Sequence, residues 1–182
     1  MEGLTTAALL AEYAGGRRDF SDCSLSQIDL FEAQLPGINL SASHLQKAYL
    51  PYANFRQAQL QAAQFQQALL SNAILEGADL THADLTESNL FGVNLASANL
   101  QGANLTGADL RGANLSYANL SQADLRWANL TGANFHQAIL QDTELSGAVL
   151  RHTKNFKEAG ARLDASTIRP DGLPCPPGTP DP

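Results

Sequence analysis

The chain has 182 residues, of which 44% are hydrophobic and only 7% are aromatic, and its formal net charge is −7. This length fits one domain with a core of aliphatic side chains. The acidic balance argues against binding to a phosphate backbone, which needs clustered Lys and Arg. We therefore expect no direct binding of nucleic acid.

Residues 1–17 are predicted to form a short N-terminal capping helix. Thr5 or Thr6 suits its N-cap, and the pair Gly15–Gly16 suits its end. No Lys or Arg precedes the apolar stretch, which is too short to span a bilayer, so we expect neither a secretory signal nor membrane contact. Its apolar face would close one end of the element that follows: Leu9, Leu10 and Tyr13.

A repeat of five residues follows. Every fifth position from Phe20 to Leu150 is Leu or Phe, over 27 consecutive positions; the residue two before is Ala in 19 of them, and the residue one before is Asp or Asn in 16. Five residues turn a helix by about 500°, which defines no face, and an odd period alternates sides along a strand. The chain must therefore turn a corner in every block, and Asp, Asn, Gly, Ser and Thr suit such turns.

Residues 102–135, GANLTGADLRGANLSYANLSQADLRWANLTGANF, resemble the A(D/N)LXX motif of pentapeptide-repeat proteins, and the resemblance spans residues 18–150. It implies an all-β fold, a right-handed quadrilateral parallel β-helix in which four blocks make one coil. The central Leu or Phe and the Ala two before it would point inward. With coils about 4.8 Å apart, 27 blocks would make a column roughly 32 Å long.

The motif is interrupted mainly in the first half of the repeat. Ile28, Ile38 and Val93 replace the inward Ala. Other residue types replace Asp or Asn beside the corners, which leaves the turn types open there: Gln34, His44, Tyr49, Gln59, Gln64, Leu69 and Ile74.

The regular spacing ends after Leu150. Phe156 comes one residue late, and Leu163 and Ile168 follow irregularly, so residues 151–168 are predicted to form an irregular C-terminal cap. Residues 169–182 are rich in proline and are predicted to be a disordered tail.

The sequence predicts no catalytic site, metal site or cofactor. The Asp residues beside the repeat Leu are interpreted as turn residues, and Cys23 and Cys175 form no disulfide framework, which fits a reducing compartment. We therefore expect a cytoplasmic protein that is not an enzyme. With four blocks in each coil the histidines fall in different columns: His44, His82, His136 and His152.

One candidate function follows from the family resemblance, because some pentapeptide-repeat proteins protect DNA gyrase by resembling duplex DNA. Residues 19–150 carry twelve acidic and four basic residues. Wound at four blocks per coil, however, the acids scatter over all four sides, and Arg56 falls one coil from Glu76. A DNA mimic acting on gyrase or another DNA-binding protein is therefore the alternative interpretation.

The favoured interpretation is a protein-binding scaffold. The side of the β-helix centred on Leu30, Leu50, Leu70 and Leu90 should display apolar residues where other blocks have polar ones. Contiguous exposed apolar residues usually mark a contact surface. The partner would be another protein or a second copy of the chain; otherwise the N-terminal helix covers this surface, or it has no role. We name these candidate residues the apolar face: Phe31, Tyr49, Pro51, Tyr52, Leu69, Ile74 and Phe91.

Overall fold

The computed structural model describes residues 4–176. Among these residues one α-helix forms, α1, which spans Thr6–Ala14. Thr5 is the N-cap, and its hydroxyl oxygen accepts a hydrogen bond from the Ala8 N–H at 3.3 Å. The helix ends at Ala14, and Gly15 is the C-cap, whose N–H donates to the Ala11 carbonyl at 2.9 Å. Within residues 4–176, no helix has the length and hydrophobicity that crossing a bilayer requires.

Helix α1 lies on the N-terminal end of the solenoid. Leu9 is fully buried against the core. The Thr6 hydroxyl donates to the Asp29 carbonyl at 2.8 Å, and the Tyr13 hydroxyl donates to the Pro36 carbonyl at 2.7 Å. In later coils, carbonyls at these repeat positions accept hydrogen bonds from the preceding coil. The helix therefore satisfies acceptors that the first coil leaves unpaired.

The repeat winds into a parallel β-helix with four blocks in each coil. Single-residue parallel bridges join each corner-adjacent residue to the one four blocks later, beginning with Asp19 and Asn39. The Leu30 N–H donates to the Tyr49 carbonyl, and the Tyr49 N–H donates back to the Ile28 carbonyl, both at 2.8 Å. Each extended piece is short, so among the described residues only two strands form: β1, Thr143–Glu144, and β2, Ala161–Arg162, which pair in parallel.

Every block turns through a hydrogen-bonded corner. In one example the Ala33 N–H donates to the Leu30 carbonyl at 3.0 Å, and Glu32, the second residue inside the turn, has a φ of 55°. This positive φ, typical of type II turns, recurs at every fifth residue from position 22 to position 152. Asp29 supports its corner because its carboxylate accepts the Phe31 N–H at 3.0 Å.

The core consists of stacked aliphatic rows. The repeat Leu and Phe residues and nearly all the inward Ala residues are buried, and Ile38 and Val93 fit fully inside. The Thr153 hydroxyl, at an inward position beyond Leu150, is buried without a hydrogen-bond partner among the described residues. The hydroxyls of Ser43 and Thr143 also replace the inward methyl group and are hydrogen-bonded: Ser43 donates to the Phe20 carbonyl, and Thr143 donates to the Leu120 carbonyl, both at 2.8 Å. Because these hydroxyls are paired, they can replace Ala without leaving an unsatisfied polar group.

The solenoid continues beyond residue 150, where the sequence predicts an irregular cap. Strand β2 pairs with β1 through Thr143 and Ala161, and Ile168 bridges Val149, so both pairings join residues slightly closer in sequence than four full blocks. The buried Thr167 takes the inward position and donates to the Leu145 carbonyl at 2.9 Å. Residues 151–168 therefore contain a further, shortened coil, in which residues 155–158 belong to no bridge or strand.

The first part of the proline-rich tail also differs from its predicted disorder. Pro174 forms an antiparallel bridge with Ile168, and the Cys175 N–H donates to the Thr167 carbonyl at 3.1 Å. Cys175 itself is buried. Residues 169–176 thus fold back on the last coil, and residues 177–182 of the predicted tail lie outside the described residues.

Candidate interaction surface

Five large apolar side chains stand exposed on one side of the solenoid. Their side chains are 41% to 51% exposed, although the repeat Leu residues between them are buried. They occupy the outward positions of the blocks centred on four buried leucines, which form one side of the coil. The five residues are Phe31, Tyr49, Tyr52, Leu69 and Phe91.

Backbone pairing aligns these residues in columns. Tyr49 and Leu69 pair directly in a parallel bridge, so they lie one coil apart. Phe91 lies on the other side of the buried leucine row. The Asn72 N–H donates to the Phe91 carbonyl at 2.8 Å, so Phe91 lies one coil after Ser71, the residue that precedes Asn72. At about 4.8 Å per coil, Phe31 and Phe91 are roughly 14 Å apart along the axis.

The N-terminal part of the face is aromatic. The Phe31 and Tyr49 ring centroids are 6.0 Å apart with planes 20° from parallel, and the Tyr52 ring meets Phe31 edge-on at 6.0 Å. Such offset and edge-to-face geometries are favourable for aromatic rings. We name these three rings, with Pro51, the aromatic cluster.

One predicted member of the apolar face, Pro51, is not exposed, and Ile74 lies just beyond the face. Pro51 is buried; it lies one coil after Phe31 in the same column and directly before Tyr52 in the sequence. Ile74 is half-buried and pairs with Asn54 and Asn94, so it belongs to the adjacent side of the coil.

A guanidinium group borders the face at its C-terminal edge. The Arg111 Cζ atom lies 5.6 Å from the Phe91 ring centroid, within cation–π range. The same guanidinium makes a two-pronged contact with Asp109, Nε to Oδ1 at 2.8 Å and Nη2 to Oδ2 at 2.6 Å. These hydrogen bonds hold the pKa of Asp109 below its ordinary value. The position of Arg111, four blocks after Phe91, was the sequence signal for this contact.

Helix α1 leaves the apolar face exposed. Its hydrogen bonds reach the carbonyls of Asp29 and Pro36 at the end of the first coil. Tyr49 and Leu69, in the second and third coils, remain 42% and 41% exposed. The structure therefore does not support the interpretation in which the helix covers the face.

The acidic residues form no continuous surface in the part of the chain that the structure describes. Asp79, Asp84 and Asp109 lie in three different columns. Arg56 pairs with Glu76 at 2.7 Å, and Arg126 pairs with Asp124 at 2.6 Å. These ion pairs and the scatter of the acids reduce the uniform negative field that mimicry of DNA would need.

The other reactive side chains among the described residues do not converge. Within residues 4–176, no three His, Cys, Asp or Glu side chains are placed to share a metal ion. His136 packs edge-on against the Tyr117 ring, with centroids 5.3 Å apart. Burial raises the pKa of the Cys23 thiol, which disfavours the reactive thiolate.

Comparison with protein families agrees with the coil geometry. A family model described as pentapeptide repeats (8 copies) matches residues 88–126 and 128–159, and one described as pentapeptide repeat region matches residues 18–95. The chain belongs to the pentapeptide-repeat family, whose solved members are right-handed β-helices. No curated protein sequence matches the chain.

Several solved structures are similar. HetL, a pentapeptide-repeat protein involved in heterocyst differentiation regulation in the cyanobacterium Nostoc sp. strain PCC 7120, is 28% identical with a TM-score of 0.62, over 94% of this chain and 99% of HetL. Rfr23 from the cyanobacterium Cyanothece 51142 is 25% identical with a TM-score of 0.46, over 74% of this chain and 99% of Rfr23. A trypsin-treated form of QnrB1, a plasmid-mediated fluoroquinolone resistance protein, is 18% identical with a TM-score of 0.40, over 80% of each chain.

Proposed function

We propose that this protein is a non-enzymatic scaffold, a right-handed quadrilateral β-helix whose apolar face binds a protein partner. The observation that carries the proposal is the exposure of Tyr49 and Leu69 in one column. Further along the same column the structure uses Asn89, Asp109 and Asn129. The fold therefore does not require apolar residues at these positions, and a contact surface supplies a reason for them.

The backbone beneath the face favours recognition by a preformed surface. The Tyr49 N–H donates to the Ile28 carbonyl at 2.8 Å, and the Leu50 N–H donates to the Leu69 carbonyl at 2.8 Å, so the second coil is hydrogen-bonded on both sides. A rigid surface loses little conformational entropy when it binds. Aromatic residues such as Tyr49 and Tyr52 are also the types that most often dominate binding energy.

HetL supports a regulatory context for such a scaffold. HetL is described as involved in heterocyst differentiation regulation, and the similarity covers 94% of this chain. We therefore propose that the partner of this protein is a regulatory protein. We further propose a cytoplasmic location, supported by the free thiols of Cys23 and Cys175.

A triple variant tests the scaffold function. Tyr49→Asn, Leu69→Asn and Phe91→Thr together replace the face with residue types used at equivalent positions elsewhere, so the fold should persist. Capture experiments from source-cell extract should lose proteins that the wild type retains. The matched control changes outward positions on another side and should retain them: Gln59→Asn, Gln101→Thr and Ile139→Asn. Identical capture by all three proteins would contradict the proposal.

DNA mimicry remains the alternative function. Ion pairs such as Arg56–Glu76 and the contacts of Arg111 and Arg126 with neighbouring aspartates weigh against it. We therefore favour protein binding through the apolar face.

A further inference from the structure

We propose that the aromatic cluster binds a polyproline II segment, and that its occupant is residues 177–182 of a second copy of this chain. The inference rests on the proposed function, because the cluster is part of the apolar face. It adds the chemistry of the ligand and predicts a head-to-tail association.

The cluster has the composition of a polyproline-binding surface. Phe31, Tyr49 and Tyr52 present partly exposed rings around the buried Pro51. Proline-rich segments bind grooves lined by aromatic rings, because their extended helix is already formed and loses little entropy on binding. Tyrosine hydroxyls at the rim can also donate to the free carbonyls of such a segment.

Residues 177–182 have the matching sequence, PGTPDP. Pro177 and Pro180 are three residues apart, and a polyproline II helix has three residues per turn, so both rings would lie on one side. The hydrogen bond from the Cys175 N–H to the Thr167 carbonyl fixes the preceding chain on the last coil. The segment therefore leaves the solenoid at its C-terminal end.

Distance excludes binding to the cluster of the same molecule. The column that begins at Tyr49 reaches Ile168 after six inter-coil steps, which is about 29 Å at the usual spacing. Six residues span at most about 22 Å when fully extended. Residues 177–182 therefore fall short of their own Tyr49, and the contact must join two molecules.

Charge is compatible with this contact. Lys47 is exposed two residues before Tyr49 and has no ion pair among residues 4–176. The segment carries Asp181 next to Pro180 and Pro182, so its charge is opposite to that of Lys47.

Because the tail and the cluster are different surfaces, the association is heterologous and leads to chains or rings of molecules.

Sedimentation velocity of the full-length chain over a range of concentrations tests the inference with two double variants. The cluster variant carries Tyr49→Asn and Tyr52→Asn, and the tail variant carries Pro177→Ala and Pro180→Ala. The wild type should form dimers and larger species as concentration rises, whereas each variant alone should remain monomeric. An equimolar mixture should form dimers and nothing larger, since it contains one intact cluster and one intact tail for each pair.

The possible failures are distinguishable. A monomeric wild type at all concentrations, or a mixture that stays monomeric, overturns the inference but leaves the scaffold function to its own test. If the tail variant associates like the wild type while the cluster variant does not, the occupant is the same face of a second copy, and the inference is wrong. Should the cluster variant unfold, Lys47→Gln, a residue type found at this turn position in Gln27 and Gln67, should weaken association several-fold; no change would overturn the proposed contact.

Discussion

The indole of Trp127 lies directly over Gly147, its counterpart one coil later, so a Cβ atom on Gly147 would overlap the ring. The same relationship joins His82 to Gly102. These two outward side chains therefore pack on the next coil, where glycine, which has no Cβ atom, leaves space for the ring. Trp127 is nevertheless 65% exposed.

Gly147→Ala should destabilise the protein more than Gly112→Ala. Both glycines have a positive φ, 72° and 68°, so both variants incur the backbone strain of a Cβ in that region, about 1–2 kcal/mol. Only Gly147 has a ring above it, because nothing lies within 4 Å of a Cβ on Gly112. Urea unfolding measures the difference. Adding Trp127→Asn should remove most of the excess loss in Gly147→Ala, and a loss unaffected by that change would contradict the packing argument.

Ala62→Gly should stabilise the protein slightly. Ala62 has a φ of 55°, and removing its Cβ relieves strain of about 1–2 kcal/mol, partly offset by the greater entropy of glycine in the unfolded chain, about 0.5–1 kcal/mol. Thermal or urea unfolding should show a higher midpoint. Ala96→Gly is the matched control, because Ala96 is the first residue inside its turn and lacks a positive φ; it should lower the midpoint.

Asp109 should contribute a small, pH-dependent stability. Its pKa in the folded protein lies below the ordinary value because Arg111 donates hydrogen bonds to the ionised carboxylate. The contribution is therefore present above the unfolded pKa of about 3.9 and is lost as pH falls through the lower, folded value. Asp109→Asn should narrow the stability difference between pH 7 and pH 3, by less than about 1 kcal/mol because the pair is partly exposed. An unchanged difference in urea unfolding would show that the pair contributes nothing.

The protein should have little effect on DNA gyrase. Its acids are spread over different columns, and several pair with arginines, for example Asp124 with Arg126. A supercoiling assay with and without a quinolone, at low micromolar protein, is the measurement. Clear inhibition or protection would favour the DNA-mimic function over the scaffold.

Much of the coil could be predicted because nearly every block buries the same residue types at the same two positions. Leu or Phe at every fifth position predicts a turn in every block, and the family resemblance implies four blocks per coil, which aligns Tyr49 with Leu69 in one column. The burial of Pro51 was not predictable from its position, since Phe31 and Phe91 in the same column are exposed.

The last coil was missed for a different reason. Its pairings, Thr143 with Ala161 and Val149 with Ile168, fall short of four full blocks, so the repeat pattern stops before the fold does. Thr167 offered a signal, because Ser43 and Thr143 already showed that a hydroxyl can take the inward position. Recognising that signal would have required allowing for a shortened block, which local periodicity does not indicate.

The four-cornered winding also constrains how such a protein can change length. Inserting a single block between Leu70 and Leu90 would rotate everything after it by a quarter turn, moving Phe91 away from Tyr49 and Leu69. Inserting four blocks would lengthen the rod by one level and keep the three residues on the same side. Duplications of whole coils therefore preserve a binding surface, whereas shorter ones divide it between sides.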